Sequence, residues 1–261
     1  MNAVAELDKC KMSLLSWTQY RERLKNAPLV ILPVGALEQH GPHLPMACDA
    51  LLSEAIALRL AAAIDGMVMP PLSYGYKSQE RSGGGQCFPG TTSLDGITLI
   101  HTLRDILREL FRHGAKNILV LNGHVENQWF LTEGIDLALR ERAKSQSSVR
   151  VSRCEYWNYT PQHVLERIFD GPFPGVDLEH AALIETSMML ALYPHLVDKS
   201  AFPDDILADF PAHDTFPQQG DGVPVSGVLA PLSKASAEKG WLLIDSTVEC
   251  LIEAFKTEGG S

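Results

Sequence analysis

A chain of 261 residues, 45% hydrophobic and 21% charged, has ample material for a core, and its composition favours one large α/β domain over two small ones. A formal net charge of -10, with no Lys/Arg blocks, argues against binding nucleic acid or an anionic membrane through charge. Charged residues Glu6, Asp8, Lys9 and Lys11 interrupt any signal-peptide core, no run approaches about 18 apolar residues, and the five scattered cysteines form no CxxC pair; together these point to a reducing cytoplasm.

In chain order, Ser16 followed by Gln19 has the pattern of a capping box and predicts a first helix that ends before Leu29. Leu29, Val30, Ile31 and Leu32 predict a strand covered on both faces. It hands over to a loop broken by Pro33, Gly35, Gly41 and Pro42, in which stand Glu38, His40, His43 and Asp49. Ligands of open α/β sheets bind beyond the carboxyl ends of strands, where such a loop lies. An Ala/Leu-rich helix is expected over 49–65, with Asp49 as its N-cap, a ligand, or both, and Gly66 as a left-handed C-cap. Cys48 reads as a small packed thiol.

Met67, Val68 and Met69 suggest a second short strand. The stretch 70–96, dense in Gly, Pro, Ser and Thr and carrying Tyr74, Tyr76 and Phe88, reads as an ordered pocket wall. Its SGGGQ run lacks the Lys-Ser/Thr and the helix of a phosphate loop. Ser93 is expected to cap a helix reaching about His113 and ended by Gly114, before a buried strand over 117–121. NGHVENQ follows at once, placing His124 and Glu126 at a second strand end, before a helix to about Lys144. A strand over 149–154 leads to Tyr156 and Trp157; the Gly/Pro-rich loop 171–180 feeds an apolar helix; 194–240 is irregular. The last helix covers WLLIDSTVECLIEAF, whose first residues could equally form a strand. The alternation predicts a mainly parallel sheet with helices on both faces.

A Glu/His pair two residues apart is commonplace on exposed loops. Here it occurs twice at strand ends, Glu38 with His40 and His124 with Glu126, and Asp49 stands beside the first pair. Charged groups leave water only when paired or coordinated, so two imidazoles and three carboxylates together argue for a metal site. Nitrogen and oxygen ligands without thiolate suit zinc or manganese, and five ligands with a shared carboxylate suit two ions. Such a pair is equipped for hydrolysis of a carbonyl compound. His180 is either a neutral proton shuttle or a helix-start histidine bonded to backbone. Glu179 and Glu185 read as helix-start charges or surface residues.

EQHGPHLP with Asp49, GYKSQ with SGGG and FPGTTSLDG, NGHVEN, and DLEH over 177–180 resemble the creatininase family, and the likeness runs through nearly the whole chain, including SKASAEKG. The resemblance implies a three-layer αβα fold in one domain over 1–261, a binuclear metal centre, opening of a cyclic amide such as creatinine to creatine, and a hexamer built from dimers. Carried over by position, Glu38, Asp49 and His124 would hold one ion, often manganese. His40, Asp49 and Glu126 would hold the other, usually zinc, with Asp49 bridging. His180 would move the proton between water and leaving nitrogen, assisted by Glu126. Ser82, Val125 through its backbone, and Asp177 would lie near the substrate. Trp157 would wall it, or serve as a core indole. The family's tryptophan before the Asp of Asp-x-Glu-His is Val176 here, which removes a flat lid. Alternative readings are a same-family hydrolase acting on another cyclic amide or ketone, a formamide or a peptide, or a metal-stabilised scaffold without turnover.

Overall fold

The computed structural model describes residues 3–26, 28–142, 148–169 and 171–256. Helix α1 (Ala3–Asp8) and α2 (Trp17–Leu24) lead into strand β1 (Leu29–Val34). The expected capping box is present at α2: Ser16 accepts from the Gln19 N–H, and Gln19 accepts from the Ser16 N–H. Then follow α3 (Cys48–Ile64), β2 (Met67–Val68), α4 (Glu80–Gly83), α5 (Gly96–His113), β3 (Asn117–Asn122), α6 (Gln128–Glu141) and β4 (Arg150–Glu155). Helices α7 (Gln162–Ile168), α8 (Leu183–Leu192) and α9 (Ala237–Lys256) complete the described chain.

The four strands are parallel in the order β2-β1-β3-β4, and Val34, Asn122 and Glu155 stand level at the carboxyl edge. Successive side chains of a strand point to opposite faces, and here each face meets its own core. Ile31, Val68, Leu119 and Leu121 pack with α3, α8 and α9. Val30, Leu32, Ile118 and Val120 pack with α5 and α6. The result is the expected three-layer αβα arrangement. Two helices cross closely on the first face, where a Cβ on Gly240 of α9 would overlap the Ser187 carbonyl of α8. Among the described residues no helix is long and apolar enough to cross a membrane.

Local details depart from the sequence expectations in informative ways. The N-cap of α3 falls two residues before Asp49, at Ala47, with no side-chain cap. Asp49 therefore sits in the first turn without capping it, and its carboxylate is turned to other partners. The left-handed residue ending α3 is Asp65, with φ 53°, one position before the expected Gly66; aspartate is among the few non-glycine residues that tolerate this region. Asp95 takes the N-cap position of α5 in place of Ser93. The first residues of the final apolar stretch are helical, since α9 begins at Ala237.

The sheet order changes direction between β1 and β3, which opens a crevice at their carboxyl ends. Two glycines bring α3 into it: a Cβ on Gly35 would overlap the Ala50 backbone nitrogen, and one on Gly123 would stand 2.8 Å from the Asp49 carbonyl oxygen. Only residues without side chains allow that approach. It sets the first turn of α3 directly over the two strand ends.

Candidate metal centre

Asp49 lies at the centre of the crevice, 2% exposed. Its Oδ1 is 2.9 Å from His40 Nε2 and its Oδ2 is 3.1 Å from His124 Nδ1. One carboxylate thus faces histidines from both strand-end loops. His124 Nδ1 is also 3.1 Å from Glu38 Oε1, and its Nε2 is 3.3 Å from Glu126 Oε2. On the far side, His40 Nε2 is 3.7 Å from Glu185 Oε2.

Several of these atoms are close to one another yet make no hydrogen bond. Glu38 Oε2, His40 Nε2 and Asp49 Oδ2 are buried without a hydrogen-bond partner, a costly arrangement for polar atoms. Lone pairs that converge without donors between them are what a cation ligates. Glu38, Asp49 and His124 offer ligand atoms within 4.8 Å of one another, as do Glu38, His40 and His180, and His40, Cys48 and Glu185. The buried charge also calls for cations. Burial pushes Glu38 up to about 7, with Asp49 and Glu126 adding to the rise and His124 opposing it. Burial opposes ionisation of Asp49 as well, but His40 and His124 outweigh it and hold the carboxyl below its usual range. His40 and His124 lie well above the ordinary histidine range, because neighbouring carboxylates overcome burial. The donor set fits divalent ions bound through nitrogen and oxygen. Burial, with Glu185 and Asp49, keeps Cys48 a neutral thiol, a weak ligand beside these.

Glu126 stands apart from His40. Its Oε1 accepts from Ser82 Oγ at 2.6 Å and from the Gln79 N–H at 3.0 Å, and it belongs to none of the three clusters among the described residues. His180 is 5% exposed, with Nδ1 3.6 Å from Glu38 Oε1 and Nε2 2.9 Å from the Gln39 carbonyl oxygen. Burial, reinforced by His40, holds it well below the ordinary range, so the imidazole is neutral. The backbone-bonded reading of His180 is the one the geometry shows. The same side chain lines a cavity.

That cavity, of about 240 Å³, opens beside the cluster and is lined by Glu38, Asp49, Ser82, His124, Val125, Glu126, Trp157, Val176 and His180 among others. Trp157 is thus a wall residue. Asp177 is not on this wall; it lines a neighbouring cavity with Arg81 and Phe210, and Val176 borders both. Of the stretch 70–96, expected as a wall, only Ser82 lines the central cavity. Tyr76 instead packs on Phe130 at a ring separation of 3.9 Å.

Sequence reasoning passed over four residues. Gln39 donates through its amide to the Gly83 and Gly227 carbonyls. Asn122 and Asn127 brace the second turn: Asn122 Nδ2 donates to the His124 carbonyl at 2.6 Å, and Asn127 Nδ2 to the Gly35 carbonyl at 3.0 Å. Glu185, read as a helix-start or surface charge, accepts from the Ala181 N–H at 2.7 Å. It holds a non-glycine residue at φ 55° directly after His180. Paired asparagines flanking His-x-Glu were the one available signal, because their side chains readily bond nearby backbone.

The family model for creatininase, described as creatinine amidohydrolase, matches residues 13–255. This chain belongs to the creatininase family. Within that family it is 47% identical over 247 residues to creatinine amidohydrolase of Pseudomonas putida, covering 94% of this chain and 95% of that one. Its fold matches a glutamate-to-glutamine variant of creatininase complexed with creatine, with a TM-score of 0.94, 44% identity, and coverage of 97% of this chain and 99% of the other. Creatininase structures of zinc–zinc type and with manganese match at the same TM-score, identity and coverage.

Proposed function

We propose that this protein is a metal-dependent amidohydrolase that opens creatinine to creatine, reversibly, within a single metallohydrolase domain. The observation that carries the reading is Asp49, whose two oxygens face histidines from two different strand ends. Likeness to creatinine amidohydrolase over 94% of the chain supports the substrate. Two divalent ions, zinc in both places or zinc with manganese, would be held by Glu38, Asp49 and His124 on one side and His40, Asp49 and Glu126 on the other. When bound, such ions polarise a carbonyl and make water a nucleophile at neutral pH.

The chain's own residues supply the remaining parts. Val125, through its backbone, and Ser82 hold the ring against the Trp157 wall. Asp177 is a substrate residue by resemblance, and would act there only with movement of the 176–178 turn. Glu126, fixed by Ser82 and the Gln79 N–H, is positioned to orient the attacking water. The ring amide carbon gains the water oxygen and loses its bond to the ring nitrogen. His180 accepts the water proton and returns it to that nitrogen, a role that starts from a neutral imidazole. A homo-oligomer, a hexamer by resemblance, and a cytoplasmic location complete the proposal.

Creatine formation from creatinine by purified protein, before and after metal removal and with zinc or manganese restored, tests this. Turnover that follows the metal, at about 1 to 1,000 per second, is expected. Two bound ions without turnover would sink the creatinine assignment and direct the search to other cyclic amides past Val176. His180→Ala should bind substrate and lose turnover; full activity would remove His180 from the mechanism.

A further inference from the structure

The cavity beside the metal cluster has two unlike ends. Its ligand end comes from the turns after β1 and β3 and from the first turn of α3. The other end is built on the β4 side of the sheet. Trp157 follows β4, Leu165 stands on α7, Phe173 and Val176 on the loop between α7 and α8, and Ile184 on α8. Each keeps part of its surface exposed, Val176 as much as 39%. Of the polar residues beside them, Asn158 donates to Glu155, Thr160 pairs with Thr247, and Glu179 accepts from the Ile184 N–H. Apolar surface left open to a cavity favours an apolar part of a ligand.

Creatinine uses little of this surface. In its ring the N-methyl nitrogen is the vertex opposite the C–N bond that opens. With that bond at the ions and His180, the methyl group points away from them. Once the ring lies against Trp157, a single methyl carbon is left to meet Leu165, Phe173, Val176 and Ile184. Val176 also borders the neighbouring cavity, of about 420 Å³, together with Pro174 and Phe210, so on that side the boundary is a short aliphatic side chain. Resting on the amidohydrolase reading above, we propose that this end receives a hydrocarbon arm, and that the protein also opens cyclic amides in which a larger alkyl or benzyl group replaces the N-methyl of creatinine. The bond change is the same: the carbonyl carbon gains the water hydroxyl, and the leaving nitrogen gains the water proton. An arm remote from the reacting bond binds ground state and transition state alike, so its gain falls in KM and leaves kcat.

Metal-loaded protein assayed with creatinine and with its N-benzyl analogue, benzyl standing where the methyl is, decides this. KM for the benzyl ring should be at least tenfold lower than for creatinine, with kcat within threefold. An ethyl arm, one methylene longer than methyl, should lie between them, about fourfold below creatinine. Val176→Trp fills this end, and should raise KM for the benzyl ring at least tenfold more than KM for creatinine, at unchanged metal content. A benzyl KM equal to or above that of creatinine, or a variant that moves both rings equally, would overturn the proposal and leave the apolar end as packing. Should the variant fail to fold, the wild-type order of methyl, ethyl and benzyl still decides. If the protein opens creatinine alone, the proposed function stands and this inference falls. If it opens neither ring, the proposed function fails on its own, and calorimetric titration of the metal-loaded protein with both rings still decides the apolar end. Benzyl bound tenfold more tightly supports it, and equal or absent binding removes it.

Discussion

The turn after β1 carries glutamate and histidine two residues apart, Glu38 and His40; the turn after β3 carries them in the opposite order, His124 and Glu126. They are held in different ways. The first turn is tied from a distance, through Gln39 to the Gly83 and Gly227 carbonyls. The second is braced by its own flanks, Asn122 and Asn127, which bond each other, the His124 backbone and the Gly35 carbonyl. One turn is held mainly by distant carbonyls, and the other by a local asparagine frame that is itself tied to Gly35 and Tyr76. Asp49, a member of neither turn, faces a histidine of each.

Removing that carboxylate should break both halves at once. Asp49→Ala is expected to lose both ions and at least about 10³-fold in creatine formation, checked by atomic absorption alongside the rate. Retention of two ions would show that Asp49 does not join the turns. Glu126→Gln probes their inequality: a loss of about 10²-fold in kcat is expected, with the ion at Glu38, Asp49 and His124 retained. Glu38→Gln should instead deplete that ion first. If both variants lost the same metal to the same degree, the two turns would be equivalent.

The frame of the second turn can be weakened without touching a ligand. Asn127→Ala removes bonds to the Gly35 carbonyl, the Asn122 side chain and the Tyr76 N–H. A loss of about 2–3 kcal/mol is expected, read as a fall in Tm of about 5–10 °C; an unchanged melting curve would show the frame to be redundant. The smallest effect belongs to the first turn. His43 is 1% exposed, 2.9 Å from the Thr186 hydroxyl, and burial lowers it to about 4. An unfolded histidine titrates near about 6.5, so below that pH the unfolded chain binds a proton that the folded one refuses. His43 therefore contributes full stability above about 6.5 and loses it as pH falls toward 4. The urea midpoint should drop less between pH 7 and 5 in His43→Gln than in the wild-type protein; equal drops would remove His43 from the acid limb.

The layers were legible because burial on both faces writes continuous apolar runs at β1 and β3, and helix α5 is strongly two-faced. The candidate ligands were legible because polar residues followed those runs directly. What stayed hidden acts across space. Periodicity has no means of stating that Glu185 turns inward to Ala181 and His40, or that Gln39 reaches Gly227. Asp49 was ambiguous between cap and ligand until the start of α3 was known, since a shift of two residues in the cap decides where its carboxylate points. Asp177 and Val176 are adjacent in sequence, yet only Val176 borders the central cavity.

The distance in sequence between the two turns has a consequence for folding. Glu38 and His124 meet across 86 residues, and their meeting requires β1 to lie beside β3. Parallel pairing of this kind closes late and slowly, because loop entropy is lost before contacts compensate. The unfolded chain therefore has no preformed cage, and ions select the finished fold. At a free metal concentration of one hundred times Kd, a single such ion adds about 2.7 kcal/mol by mass action. Chelation would then lower the melting temperature of the whole molecule, making a centre built for chemistry also a clasp on its topology.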